Sequence, residues 1–194
     1  MFVDVCLPEG NEEELLTMAK KLGTKKVLML YKKPKKEVFE FEGVEVINGL
    51  LCEKFPGRKG INFGFGERFN AEANTIPFLY GFEEVEKKDS VHYKRAGINQ
   101  VIAKILVEKD KTYVIDFSRL LKSSEKDKVL GRISQNLMMA SKYGFKVAIC
   151  SFASKPEQLR AAFDLRSIID IFGYQKIAKE SVSNLSAQID LLKK

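Results

Sequence analysis

The sequence predicts a parallel α/β fold on three observations. Strand-length apolar runs recur along all 194 residues, amphipathic helical segments alternate with them, and the chain opens in the order strand, helix, strand. Residues 2–7 (FVDVCL) are an apolar run broken by Asp4, which suits a buried first strand. Asn11 stands where a helix N-cap belongs. Glu12, Glu13 and Glu14 follow at the positive end of the helix dipole, with Glu14 in capping-box position. Leu15, Leu16, Ala19 and Leu22 share one helical face, Lys20 and Lys21 suit its C-terminal end, and Gly23 suits the cap beyond it. Residues 27–31 form the next apolar run, followed by the cationic loop Lys32, Lys33, Pro34, Lys35, Lys36.

Strand-like segments follow at 44–51, 61–65 and 76–82, while residues 53–75 carry the weakest pattern in the chain. From Asn99 onward Val101, Ile102, Ile105 and Leu106 define a helical face, and residues 112–117 read as a strand. A helix over 125–143 carries Val129, Ile133, Leu137 and Ala140 on one side. Residues 145–150 form another strand, 156–172 a helical region, and the last twenty residues a further amphipathic helix with Ile189 and Leu192 on its apolar side. No internal repeat or linker interrupts this series, so residues 1–194 are one domain. Repeated βα units can close as a (β/α) barrel or lie open as a doubly wound sheet, and periodicity alone does not choose between them.

Composition excludes several classes. At 45% hydrophobic and 30% charged residues the chain is globular, and no stretch approaches the ~18–20 apolar residues of a membrane span. The opening MFVDVCLPEG lacks the pattern of a secretory signal, so the expected location is cytoplasmic, with no membrane partner. Cys6, Cys52 and Cys150 make no Cys-x-x-Cys pair and suit buried thiols in a reducing compartment. His92 is the one histidine, so a metal site built on several imidazoles from one chain is not available, and no metal site is expected. Asp4 and Asp116 are read as hydrogen-bonded polar residues near strand ends. Charge is uneven: residues 1–96 hold 16 basic and 16 acidic side chains, residues 97–194 hold 17 and 10, so the net +7 falls in the second half. That asymmetry points towards a polyanionic partner.

NFGFGERF (Asn62–Phe69) fits neither a dinucleotide loop nor the aromatic strand of an RRM and reads as a glycine-rich turn, with Arg58, Lys59 and Arg68 placing positive charge beside aromatics. In HYKRAGINQVIAK, Lys94 and Arg95 precede Gly97, and Asn99 caps a helix whose N-terminus attracts phosphate. Residues 149–173 hold the densest constellation: a strand ending in Cys150-Ser151, a small-residue loop, Pro156 in a first helical turn, and Arg160 and Asp164 four apart on one helical face, able to pair.

FVDV at 2–5, KRAGIN at 94–99, IDFS at 115–118 and CSFASKPEQLR…DL from Cys150 to Leu165 together resemble the archaeal ribonuclease P protein component 3 family, the counterpart of the eukaryotic thirty-kilodalton subunit. The chain departs from that pattern with Cys150 where serine is common and Ala161-Ala162 where Ser-Pro is common. The resemblance implies a TIM-barrel-like (β/α) barrel related to the PHP metalloesterases, fully or incompletely closed, without their histidine-rich metal site. It implies a subunit of the RNA-based endonuclease that removes the 5′ leader of precursor tRNA, in which the RNA and its Mg²⁺ ions carry out hydrolysis and this chain binds no cofactor and has no catalytic residues. Implied partners are ribonuclease P RNA, protein component 2, the other protein subunits and, for the holoenzyme, precursor tRNA. Lys94, Arg95 and Arg160 are expected to contact RNA and Asp164 to pair with Arg160, by match to the family's motifs. Lys104, Arg132 and Lys155 are expected RNA contacts from charge and placement. A stand-alone PHP-like phosphoesterase and a protein-interaction module without RNA are the competing readings.

Overall fold

A computed structural model of the chain describes residues 1–52, 60–85, 89 and 94–193. Seven strands run in one parallel sheet whose spatial order follows the sequence: β1 (Asp4–Cys6), β2 (Lys26–Tyr31), β3 (Glu45–Cys52), β4 (Asn62–Phe65), β5 (Phe78–Tyr80), β6 (Thr112–Asp116) and β7 (Lys146–Cys150). The sheet curls until its edges meet. Beyond β7 the chain runs on to bring Ala153 beside Cys6, where Leu7 N–H donates to the Ala153 carbonyl (2.8 Å) and Ala153 N–H to that of Val5 (3.2 Å). Nearer the middle of the seam a side chain substitutes for the ladder, because Asp4 Oδ1 accepts the Ser151 N–H at 2.7 Å. The result is a seven-stranded barrel, nearly closed, with one incompletely sealed seam. This settles the choice that periodicity leaves open, and Asp4 is the hydrogen-bonded strand residue expected.

Among the described residues seven α-helices surround the strands: α1 (Glu12–Lys21), α2 (Arg68–Glu72), α3 (Gln100–Glu108), α4 (Phe117–Lys122), α5 (Lys126–Tyr143), α6 (Ala162–Ile171) and α7 (Gln175–Leu192). The alternation of each strand divides its residues between two cores. Leu28, Leu30, Ile47, Phe63, Phe78 and Val114 fill the barrel interior, whereas Leu79, Tyr113, Ile115 and Ile149 face α3, α5 and α6. The interior is packed with rings: Phe63 and Phe78 stack with centroids 4.7 Å apart, and Phe152 closes on Phe63 and Tyr80 at 6.0 and 5.5 Å. Phe63, in the segment that reads from sequence as a glycine-rich turn, is a fully buried strand residue. The glycines around it admit close packing: a β-carbon at Gly66 would lie 2.6 Å from the Phe82 ring and backbone.

The C-terminal helix closes the other end. Leu185 and Ile189 of α7 belong to the interior core, and Asn184 donates to the Val147 carbonyl (2.8 Å). Gln188 bonds Thr112 and the Asp110 carbonyl, and Lys26, buried at the start of β2, pairs with Asp190 at 3.1 Å. Ile189→Val is expected to cost about 1 kcal/mol by urea denaturation, as for a methylene deleted from a packed core.

Local signals hold at several helix ends and fail at one. Asn99 caps α3 by accepting the Ile102 N–H (3.0 Å). Gly23 ends α1 at φ 75°, with Gly23 N–H to Lys20 and Thr24 N–H to Ala19 forming the expected C-terminal cap. Asn11, however, does not cap α1 with its side chain. It accepts the Glu9 N–H and donates to the Ser154 carbonyl across the barrel seam, a tertiary use that displaces the capping box. No helix among the described residues is long and apolar enough to cross a membrane.

Candidate nucleic-acid interface

Residues 94–99 run into α3 and lie against α5. Ala96 and Ile98 are buried, and Asn136, fully buried on α5, donates to the Ala96 carbonyl at 2.8 Å. Beside these two buried residues, Lys94 and Arg95 are exposed. They border a surface groove of about 390 Å³ with Gly97, Asn99, Gln135 and Met139. To the two features read together in the sequence, adjacent cations and the positive end of a helix, the structure adds a concave surface between residues 94–99 and α5. Lys104 is exposed one turn into α3 and stands outside the groove lining. His92, Arg58 and Lys59 lie outside the described residues.

Arg132 is the clearest correction. Expected as an RNA contact, it is 3% exposed and spends its guanidinium inside the protein. Nε and Nη2 donate to Asp89 Oδ1 at 2.9 and 2.7 Å, and Nη1 donates to the Glu83 carbonyl at 2.7 Å. Asp89 Oδ1 also accepts the Arg95 N–H at 2.9 Å. Burial works to raise the Asp89 pKa, but the Arg95 N–H and the Arg132 guanidinium outweigh it and hold the carboxyl below its ordinary value. Arg132 thus fixes the backbone from which Lys94 and Arg95 project. Beneath it, Tyr113 donates to Glu83 Oε2 at 2.9 Å, and burial pushes the Glu83 carboxyl up to about 7.

The segment after β7 behaves differently from the helical region predicted there. Pro156–Gln158 form a single 3-10 turn, the chain is extended at Leu159 and Ala161, and α6 starts at Ala162. Arg160 therefore lies outside the helix, and it forms no ion pair with Asp164 among the described residues. The cause is local. Ser151 Oγ accepts the Arg160 N–H (3.1 Å), while Nη1 donates to the carbonyls of Glu157 (2.8 Å) and Leu159 (2.7 Å) and the guanidinium lies 5.8 Å from the Phe117 centroid. Half-buried Arg160 braces its own loop, with exposed Lys155 at the head of the turn. Neither lines the groove formed by Lys94 and Arg95.

The C-terminal mouth of the barrel holds a residue that sequence reasoning misses. Arg119 of α4 lies over Phe65 and Tyr80, 5.3 Å from each centroid, and pairs with Asp116 Oδ2 (3.1 Å) and Glu84. Asp116 Oδ1 also accepts the Arg119 N–H and so caps α4, the hydrogen-bonded role expected of it. The Asp-x-x-Arg spacing is visible in the sequence, but the two rings that receive the arginine come from other strands. Enzymes of barrel architecture place their reacting groups at this mouth; here aromatic rings and an ion-paired arginine occupy it.

Three buried carboxyls away from the groove set a pH dependence. Burial raises Asp4 from 3.8 to about 6, against the hydrogen bonds from Ser151 and Val5, Glu83 from 4.5 to about 7, and Asp116 from 3.8 to about 7. All three are protonated more readily in the fold than in the unfolded chain, so the stability this confers is complete below about pH 4. It is lost as pH rises through their folded values, each tenfold difference in proton affinity between fold and unfolded chain being worth about 1.4 kcal/mol. Melting temperature is expected to fall between pH 5 and pH 8, and Asp4→Asn, which keeps the acceptor for Ser151, is expected to flatten that fall in a thermal-melt series.

No protein-family model matches the chain. It is 26% identical over 199 residues to ribonuclease P protein component 3 of Methanosarcina mazei, across 90% of this chain and 82% of that protein. It is 24% identical over 213 residues to the protein of the same name from Methanosarcina acetivorans, across 97% and 88%. Among solved structures it is similar to a chain in the cryo-EM structure of archaeal ribonuclease P with mature tRNA, with TM-score 0.78, 19% identity, and coverage of 98% of this chain and 91% of that one. It also resembles a prolidase crystallised with N-methylphosphonate-L-proline, at TM-score 0.54 and 9% identity over 98% of this chain and 74% of that one. At those identities the structural likenesses establish the barrel.

Proposed function

We infer that this chain, a homologue of archaeal ribonuclease P protein component 3, is a protein subunit of ribonuclease P, the RNA-based endonuclease that processes the 5′ end of precursor tRNA. The observation that carries the reading is near full-length similarity to proteins of that name. The chain's part is electrostatic. A folded catalytic RNA crowds its phosphates, and fixed cations lower that cost while releasing condensed counterions. Lys94 and Arg95, exposed beside the buried Ala96 and Ile98, supply such cations near the start of α3, with Lys104, Lys155 and Arg160 as outlying contacts. Their contribution is affinity and positioning rather than sequence readout.

Hydrolysis in this reading belongs to the RNA and its Mg²⁺ ions, and this chain holds neither a catalytic group nor a cofactor. The aromatic filling of the barrel and the Arg119–Asp116 pair at its mouth support that assignment. Protein component 2 and the other protein subunits are the proposed protein partners, in the cytoplasm. Filter binding to ribonuclease P RNA at increasing salt tests the electrostatic role. With several phosphates neutralised, log affinity is expected to fall against log salt with a slope of about −0.7 to −0.9 per contact. An affinity indifferent to salt refutes it.

A further inference from the structure

Gly131 lies in the second turn of α5, where glycine is among the poorest helix formers and no turn or positive φ requires it. The space above it is taken by a side chain from elsewhere. A β-carbon built on Gly131 would clash with the Lys94 ammonium and lie 2.9 and 3.1 Å from Lys94 Cε and Cδ. The two residues are remote in sequence, so the contact is made by the fold. The Lys94 stem is laid across the helix at the one position where the surface is bare backbone. Its ammonium makes no hydrogen bond or ion pair within the protein among the described residues, while Lys128, one turn earlier on the same helix, is paired with Glu125 at 3.0 Å. Gln135, one turn later, lines the same groove as Lys94.

We propose that Gly131 is a positioning residue: its missing side chain is the notch that seats Lys94 and holds an uncompensated cation for a phosphodiester beside the groove between residues 94–99 and α5. This deepens the reading of Lys94 as an RNA contact and rests on it. A flexible lysine in open solvent must be immobilised when it meets a phosphate, and seating its stem beforehand removes part of that entropic penalty. The geometry also separates this role from a merely structural one. Alanine at Gly131 improves helix propensity yet fills the notch, so stability and RNA affinity should move in opposite directions.

The test uses the full chain with ribonuclease P RNA, comparing wild type, Gly131→Ala, Lys94→Ala and the double variant in melting temperature and in affinity between roughly 50 and 200 mM salt. Gly131→Ala is expected to melt no lower than wild type while its salt slope becomes shallower by about 0.7–0.9, the loss of one phosphate contact. Lys94→Ala is expected to show the same slope change, and the double variant no more than either, because both remove one contact. If Gly131→Ala binds as wild type does while Lys94→Ala is impaired, the notch is refuted and the RNA reading of Lys94 stands. Loss of affinity in Gly131→Ala that tracks a lowered melting temperature also refutes the notch. Unimpaired binding by Lys94→Ala overturns both the notch and the reading beneath it.

Discussion

Truncating Arg132 to alanine is expected to lower the free energy of unfolding by about 2–3 kcal/mol, less than for an ion pair buried on both sides because Asp89 is partly exposed. The guanidinium ties two segments together. Asp89 takes two of its N–H groups, and the Glu83 carbonyl takes a third. Removing it leaves a carbonyl unsatisfied beneath α5 and a carboxylate whose remaining partner is the Arg95 N–H. A loss of that size in a chain of this length corresponds to roughly 2–4 °C of melting temperature per kcal/mol. Urea denaturation reads it directly, through a lower midpoint at unchanged slope. A surface cation facing RNA would behave in the opposite way, with stability retained and RNA affinity reduced. Arg132→Ala with wild-type stability would therefore restore the sequence-based expectation and remove the scaffold beneath the 94–99 loop.

Replacing Lys94 and Arg95 together by alanine is expected to do the converse. Both side chains are exposed, and exposed charges contribute about 0–1 kcal/mol to folding. The alanine backbone still offers the N–H that Arg95 gives to Asp89, so the loop keeps its anchor. Two phosphate contacts are lost, and the salt slope of RNA binding is expected to become shallower by about 1.4–1.8. The deficit should be greatest where Mg²⁺ is scarce, because the divalent ion and the protein cations relieve the same repulsion. Cleavage by the reconstituted particle is expected to fall by about tenfold at limiting Mg²⁺, roughly 1.4 kcal/mol, and to recover as Mg²⁺ rises. Equal cleavage across the titration would count against these two residues as the RNA contact.

The parts of the fold legible in the sequence are those whose signals are local. Strands β2, β6 and β7 are continuous apolar runs, and α1, α3 and α5 show a clear one-sided period, so the sequence places each within a few residues. Strands β4 and β5 are four and three residues long. At that length alternation barely registers, and the glycines of NFGFG, present so that Phe82 and Ile76 can approach the backbone, read as a turn. Two of the failures share a cause, a partner remote in sequence, and a third is local. Arg132 reads as outward-facing because its partner Asp89 lies 43 residues earlier. Asn11 reads as a side-chain cap because Ser154, which claims it, lies 143 residues later. Arg160 and Asp164 pair only by counting four along a helix that starts after Arg160. Arg95 alternates with the buried Ala96 and Ile98 and so is turned outward by its own stretch of chain, whereas Lys94 shares their parity and its place over Gly131 of α5 is set by the fold.

Whether this chain lends positive charge to a reaction performed by RNA is tested most directly by reconstitution. Cleavage of precursor tRNA is measured with ribonuclease P RNA and protein component 2, assembled with and without this chain, over a Mg²⁺ titration. Correct 5′ maturation is expected in both assemblies, with the complete one working at distinctly lower Mg²⁺. Identical Mg²⁺ requirements with and without the chain would contradict that role, as would phosphoester turnover by the purified chain with no RNA present.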